Sequence, residues 1–375
     1  MYNFDTPAER RGTQCVKWDG AAEDQLPMWI ADMDFPAPPE VLDALNERVN
    51  HGVFGYGLSA DLPGIICNWM RDEFHAAVEE EWLVLFSSIV SALRAVSHLR
   101  EGNVMINTPN YNNLLEAPLK AGKATVLSPL KNTEEKYEMD FSDMQNRITR
   151  ETRLFYLCNP HNPVGRVYTK EELLELSRFA RKNNLLVISD EVHSGLVFDR
   201  PHIPWFSVDE YAAEQGITII GPAKTFNIPG LPLGFAIIPN RELRNEFRKT
   251  CCALSGPGVL SVIAAKAAYG KSRQWQKASL EYLRQNRDYL EKRLKNSFPG
   301  AKTPRVEGTY LQWIDFRPLG IENPFQWLQD HPKILASDGK IFGTEGYVRL
   351  NFGTSRARLE EAMNRIEESA KALKT

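Results

Sequence analysis

Apolar residues gather along the chain in seven short runs: Leu83–Ser88, Val104–Thr108, Ala124–Ser128, Leu154–Asn159, Leu185–Asp190, Thr218–Gly221 and Phe235–Ile238. All are β-branched or apolar in character, and several lack the polar alternation of a strand with one wet face. Strands covered on both faces are therefore expected. Helical spacing lies between them, as in Thr169–Asn183, where Thr169 precedes Glu172 by three residues as a capping box requires. Strand and helix in alternation predict an α/β fold with a doubly wound large domain.

From about Pro257 the pattern changes to long helical periodicity that runs to about Phe298, followed by β-like stretches at Thr309–Phe316 and Tyr347–Phe352 and an amphipathic helix from Ser355. Residues 1–50 and 271–375 are accordingly expected to form a smaller α+β lobe, and 51–270 the large one. The sequence contains no internal repeat or Gly/Ser linker.

Composition narrows the class. Of 375 residues, 43% are hydrophobic and 25% charged, the balance of a soluble globular chain, and no run approaches the roughly 18 apolar residues of a membrane span. The segment Met1–Arg11 has no apolar core, so it does not read as an export signal. Five cysteines (Cys15, Cys67, Cys158, Cys251, Cys252) without a CxxC pair argue against a disulfide framework and against a zinc site, and point to the reducing cytoplasm. A formal net charge of −3 without long runs of one sign leaves no footprint for nucleic acid or an anionic membrane. The expected partner is a small molecule.

Three of the predicted strands end on chemically capable side chains, and strand ends are where open α/β sheets bind ligands. Ile219-Ile220-Gly221-Pro222-Ala223-Lys224 puts a lysine just beyond one of them. Lysine forms Schiff bases, including with pyridoxal phosphate, where its surroundings lower the ammonium pKa. A second run ends in Ser189-Asp190-Glu191-Val192-His193. A carboxylate there is costly unless paired or ligand-bound, and a pyridinium nitrogen is such a ligand; a helix cap or a metal would serve as well. His193 is placed to lie under the same ring or near its phenolic oxygen, or to be a buried structural histidine. The third run continues into Asn159-Pro160-His161-Asn162-Pro163-Val164-Gly165, a loop fixed by prolines in which the Asn162 amide can donate to that phenolic oxygen.

These segments, in this order, resemble the fold-type I pyridoxal-phosphate enzymes of aminotransferase class I/II. More narrowly, Lys17-Trp18-Asp19, Trp29-Ile30-Ala31-Asp32-Met33-Asp34-Phe35-Pro36, Asp190-Glu191-Val192-His193 and Lys224-Thr225-Phe226-Asn227-Ile228-Pro229-Gly230-Leu231 resemble the cystathionine β-lyase-like branch, and a typical transaminase has tyrosine where His193 stands. The resemblance runs from Lys17 to Asn351. It implies a mainly parallel seven-stranded sheet, pyridoxal 5'-phosphate held by Lys224, and a homodimer with shared active sites. It further implies that Arg349 holds the substrate carboxylate, that Tyr111 stacks on the cofactor ring, and that Tyr56 reaches the partner subunit's cofactor phosphate. By the same match Ala31 and Asp32 approach the substrate, and the helix start at Ser88, Ile89 and Val90 receives the phosphate through backbone amides. The departures sit at the phosphate: Ser88 replaces a small residue, Ala223 replaces a common serine, and Pro232 stands where many aminotransferases carry arginine.

The activity so implied is β-elimination from an L-cysteine conjugate such as L-cystathionine, giving a thiol, pyruvate and ammonia. Lys224 acts as base, Asp190 keeps the ring protonated, and Trp29 or Phe35 faces the thiol side chain. An aminotransferase would share every cofactor contact. A regulatory protein on the same fold is a third reading, resting on the departures near the phosphate.

Overall fold

The computed structural model describes residues 2–6, 8–133, 136–251 and 256–371; Cys252 lies outside them. Seven strands form the central sheet: β1 (Leu83–Phe86), β2 (Asn103–Thr108), β3 (Thr125–Pro129), β4 (Thr152–Cys158), β5 (Leu186–Asp190), β6 (Gly216–Ile220) and β7 (Gly234–Ile237). Their order is β1-β7-β6-β5-β4-β2-β3. Only β7 runs antiparallel to its neighbours, β1 and β6; every other pairing is parallel.

The absence of polar alternation has a direct cause. Leu154, Tyr156, Leu186 and Ile188 enter one apolar layer with Leu93, Leu114 and Phe247, while Phe155, Leu157 and Val187 enter another with Leu173, Leu176 and Ala180. Both parities of β4 and β5 are thus buried under helices, as a doubly wound sheet requires. The covering helix Lys170–Asn183 starts at the Thr169–Glu172 capping box and stops at Asn184, whose φ of 53° is left-handed.

Strand limits shift by one or two residues from the sequence expectation. The first run stops at Phe86 because Ser88 is the N-cap of the helix Ile89–Val96, its hydroxyl oxygen accepting from Ser91 N at 3.2 Å. The helical run after Pro257 is two helices, Val259–Lys271 and Arg273–Ser297. Buried Ser272 divides them, donating to Glu40 Oε2 and the Ala267 carbonyl.

A second sheet orders β8 (Leu311–Asp315), β9 (Ser337–Asp338) and β10 (Tyr347–Asn351) as β8-β10-β9, antiparallel throughout. It packs with the helices Arg273–Ser297 and Arg356–Lys371 through Leu290, Leu294, Leu311, Leu350, Leu359 and Ile366. The amino-terminal segment joins it: Leu26–Pro27 pairs in parallel with Ile334–Leu335, and Asn351 N donates to the Met28 carbonyl. This tie brings residues near 30 to the carboxyl ends of β4, β5 and β6. Among the described residues no helix is long and apolar enough to cross a membrane.

Candidate active site

The carboxyl ends of the parallel strands meet in register, Cys158 beside Asp190 and Asp190 beside Ile219. A cleft of about 320 Å³ opens over them, lined by Lys224, Asp190, Asn162, His193, Tyr111 and Arg349 together with Ala31, Ile89 and Val90. Six positions from five separate segments of the sequence therefore face one space.

Lys224 lies in the short helix Pro222–Thr225 that follows β6. Its Nζ donates to the Ala31 carbonyl at 2.6 Å. Burial pushes the ammonium down to about 8, against the partial opposition of Asp32. Asp190 ends β5 with 2% of its surface exposed, and among the described residues its carboxylate takes one hydrogen bond, from Val192 N at 3.2 Å. Burial pushes its carboxyl up to about 7, with Glu191 adding to the rise.

Arg349 projects from β10 into the same cleft. Nη1 donates to Asn162 Oδ1 at 2.9 Å, and Nη2 to the Trp29 carbonyl at 2.8 Å and to Ser337 Oγ at 3.0 Å. Phe342 stacks on the guanidinium at 4.6 Å. Nε meets no partner, and no carboxylate among the described residues pairs with this cation, so burial lowers its pKa to about 10. Because Asn162 Oδ1 is taken by Arg349, the Asn162 amide nitrogen is the end left to donate into the cleft. His193 is buried with Nδ1 unpartnered and its ring edge-on to Tyr310 at 6.0 Å. Burial holds its pKa well below the usual value, which keeps the ring neutral. Tyr111 is oriented from its own loop: Asn110 Oδ1 accepts from Tyr111 N at 2.8 Å, and Asn110 N donates to the Phe342 carbonyl at 3.0 Å.

Other expected residues are placed elsewhere. Asp32 does not line the cleft, because Arg10 holds its carboxylate at 2.7 Å and Lys17 stands 3.4 Å from it. Phe35 is core, edge-on to Phe4 and Tyr282, instead of facing a substrate. The Trp29 ring turns toward the Lys17 carbonyl, to which Nε1 donates at 3.0 Å, and only the Trp29 backbone reaches the site. The Ser88 hydroxyl oxygen is engaged as an N-cap, so Ile89 and Val90 offer the free amides of that helix start. Tyr56 is fully exposed and stands outside the cleft, in a separate depression of about 500 Å³ between residues 54–57 and 256–261. Ala223 lines the cleft, and Pro232 is exposed.

Two further contributors carry little signal in the sequence. The Tyr310 hydroxyl donates at 2.9 Å to the same Ala31 carbonyl that receives Lys224. Asn227, with a left-handed φ of 52°, accepts from Met33 N and donates to the Met33 and Phe35 carbonyls. It clamps the amino-terminal wall of the cleft to the lysine loop; only its place in the Lys224-Thr225-Phe226-Asn227 run marks it.

Within the cleft, three deficits stand out among the described residues: a buried carboxylate with one donor, a buried guanidinium without an anion, and a buried imidazole nitrogen without a partner. Pyridoxal phosphate fits the first, since its ring nitrogen can be protonated against Asp190. Lys224 suits its aldehyde, the Asn162 amide its phenolic oxygen, and the Ile89 and Val90 amides its phosphate. Arg349 is left as a buried cation that none of these groups engages.

A sheet of this order with a half-buried lysine and a buried carboxylate at its strand ends defines a class: the model of the family "Aminotransferase class I and II" matches residues 23–366, and the chain belongs to that family. Within it, the chain is 35% identical to cystathionine beta-lyase PatB of Bacillus subtilis over 97% of this chain and 99% of that one. It is 32% identical to Protein MalY of Escherichia coli over the whole of both chains. The structure of the PLP-bound C-S lyase from Staphylococcus hominis aligns with a TM-score of 0.91 at 30% identity over 98% of each chain.

Proposed function

We propose that the protein is a pyridoxal-phosphate-dependent carbon–sulfur β-lyase that converts an L-cysteine conjugate and one water into a thiol, pyruvate and ammonia. The observation that carries it is Arg349, a buried cation without a carboxylate of its own, in one cleft with a lysine at about 8 and a carboxyl at about 7. The names of the relatives favour elimination over transamination. When bound, the cofactor supplies an electron sink that acidifies the α-hydrogen and lets the β-substituent depart.

The chain's residues do the rest. Lys224 is the base that takes the α-proton; with its ammonium at about 8, a fraction is neutral at pH 7. The Ala31 carbonyl, 2.6 Å from Nζ, and Tyr310 behind it aim that amine. Arg349 fixes the α-carboxylate and, through Asn162, orients the amide that meets the phenolic oxygen. Asp190 keeps a proton on the ring nitrogen, and neutral His193 adds no competing charge.

The proposal includes a homodimer in which Tyr56 reaches the partner's site. The exposed apolar side chains of Phe54, Tyr56 and Leu58 support it. It also includes a large lobe (51–270) bearing Lys224 and Asp190 and a smaller one (1–50 with 271–375) bearing Ala31 and Arg349, and a cytoplasmic setting that fits Cys15, Cys67 and Cys158 standing outside any disulfide. The decisive assay offers cystathionine, cystine and S-alkyl cysteines without any keto acid. Pyruvate is expected in an amount equal to the free thiol released, or to the persulfide thiocysteine in the case of cystine; turnover only with an added keto acid would make the protein an aminotransferase.

A further inference from the structure

The cleft divides into a charged inner part and an uncharged outer one. Among its lining residues the cations are Lys224 and Arg349 and the carboxylate is Asp190, and all three belong to the reaction centre. The outer wall carries Ile30, Ile341 and Phe342 beside the uncharged polar side chains of Tyr111 and Asn112, and its position follows from the backbone. Ile30 stands between Trp29, whose carbonyl takes Arg349 Nη2 at 2.8 Å, and Ala31, whose carbonyl takes Lys224 Nζ at 2.6 Å. It therefore sits level with a substrate whose carboxylate is at one of these groups and whose α-hydrogen is at the other. Facing the same cleft, Phe342 lies against the Arg349 guanidinium at 4.6 Å, and its carbonyl ties the turn Gly339–Phe342 to the Tyr111 loop. Ile341 on that turn lines the mouth with 49% of its surface exposed.

We infer that the preferred substrate carries an uncharged, apolar S-substituent, an S-alkyl or S-aryl group seated on Ile30, Ile341 and Phe342; resting on the lyase assignment, this names its substrate class. Covering a half-exposed isoleucine with an apolar group is favourable. A distal carboxylate or ammonium, as in L-cystathionine, finds no counter-charge among these lining residues, since neighbouring Lys340 stands outside the cleft with Glu345 at 3.4 Å, and would be desolvated against isoleucine. The exposed segment His51–Ser59, which the proposed dimer would bring to this cleft, has no lysine or arginine to supply one.

The test compares kcat/KM for pyruvate release by the holoenzyme on S-benzyl-L-cysteine, L-cystathionine and S-(2-carboxyethyl)-L-cysteine. The benzyl conjugate is expected to exceed both others by at least about tenfold. Ile341→Arg should raise the carboxyethyl conjugate and lower the benzyl one, moving their ratio by about tenfold, and Ile341→Glu should depress the carboxyethyl conjugate further. The two opposite charges at one half-exposed site control for any loss of fold, which thermal melts monitor. Equal values across the three conjugates, a wild-type preference for the carboxyethyl compound, or ratios that neither charge moves would overturn the inference and leave the lyase assignment standing. No pyruvate from any conjugate, S-methyl-L-cysteine included, would sink the lyase assignment and the inference with it.

Discussion

Replacing Arg349 by methionine separates a substrate anchor from a structural ion. Burial without a paired carboxylate among the described residues pulls the guanidinium down from its ordinary value to about 10, so its charge destabilises the folded apoprotein by about 3 kcal/mol. Methionine removes that cost and keeps an apolar contact with Phe342. It also strands Asn162 Oδ1, at about 1–3 kcal/mol, and takes one of two donors from the Trp29 carbonyl, which Ser337 Oγ still meets at 3.0 Å. The opposed effects nearly cancel, so the melting temperature should move by only a few degrees. Catalysis has no such offset. Of the five guanidinium N–H groups three are engaged within the protein, leaving Nε and one proton of Nη1 for a carboxylate, at about 1.5–3 kcal/mol per charge-assisted bond. The expected fall in kcat/KM is at least about 10²-fold. Differential scanning fluorimetry and pyruvate release on one preparation measure both. A melting temperature lowered by ten degrees or so with activity within about tenfold of wild type would refute the reasoning, because Arg349 would then be holding the fold and not the substrate.

Lys224→Ala should abolish turnover with little change in thermal stability, and the variant should fail to fix the cofactor covalently on borohydride reduction, read by intact mass. Asp190 has a folded pKa of about 7 against an ordinary 3.8, so the folded apoprotein retains a proton that the unfolded chain releases. Its contribution to stability is greatest below pH 4 and is lost as the pH rises to 7, by about 4 kcal/mol; apo Asp190→Asn should lack this decline in urea titrations, and parallel pH profiles for the two proteins would count against it. Asn227→Ala removes a left-handed asparagine and three hydrogen bonds, so a loss of about 2 kcal/mol and a lower kcat are expected; unchanged values would mean that the wall is held elsewhere. Mixing inactive Lys224→Ala with Tyr56→Ala subunits should restore activity as hybrid dimers with one intact site form, and no recovery after verified subunit exchange would exclude a shared site.

The sheet and the reacting groups are legible in the sequence for the same reason. Strands buried on both faces give unbroken apolar runs, and a lysine, carboxylate or asparagine at the end of such a run must meet a ligand, a partner or water at the crevice, which is how Lys224, Asp190 and Asn162 stand out. Direction and long-range placement leave no such trace. Phe35 and Asp32 lie in a motif beside Ala31, yet one side chain enters the core and the other turns to Arg10. Periodicity along Pro257–Phe298 also cannot register the interruption at Ser272, whose cause is a contact with Glu40, 232 residues away. Tyr310 and Phe342 acquire their roles only because β8 and the turn before β10 are brought to residues near 30, and nothing local to either predicts it.

The carbonyls of Trp29 and Ala31 meet partners 320, 193 and 279 residues further along the chain. One wall of the cleft is thus synthesised first and seated last, after β10 has been made. Until then Lys224 and Asp190 have no closed chamber around them, and a chain truncated before residue 349 would present a buried sheet with an open, unselective mouth. The amino-terminal segment is held against the lysine loop by long-range contacts alone, and protection of the Met33 amide from hydrogen exchange, through Asn227, would report their stability.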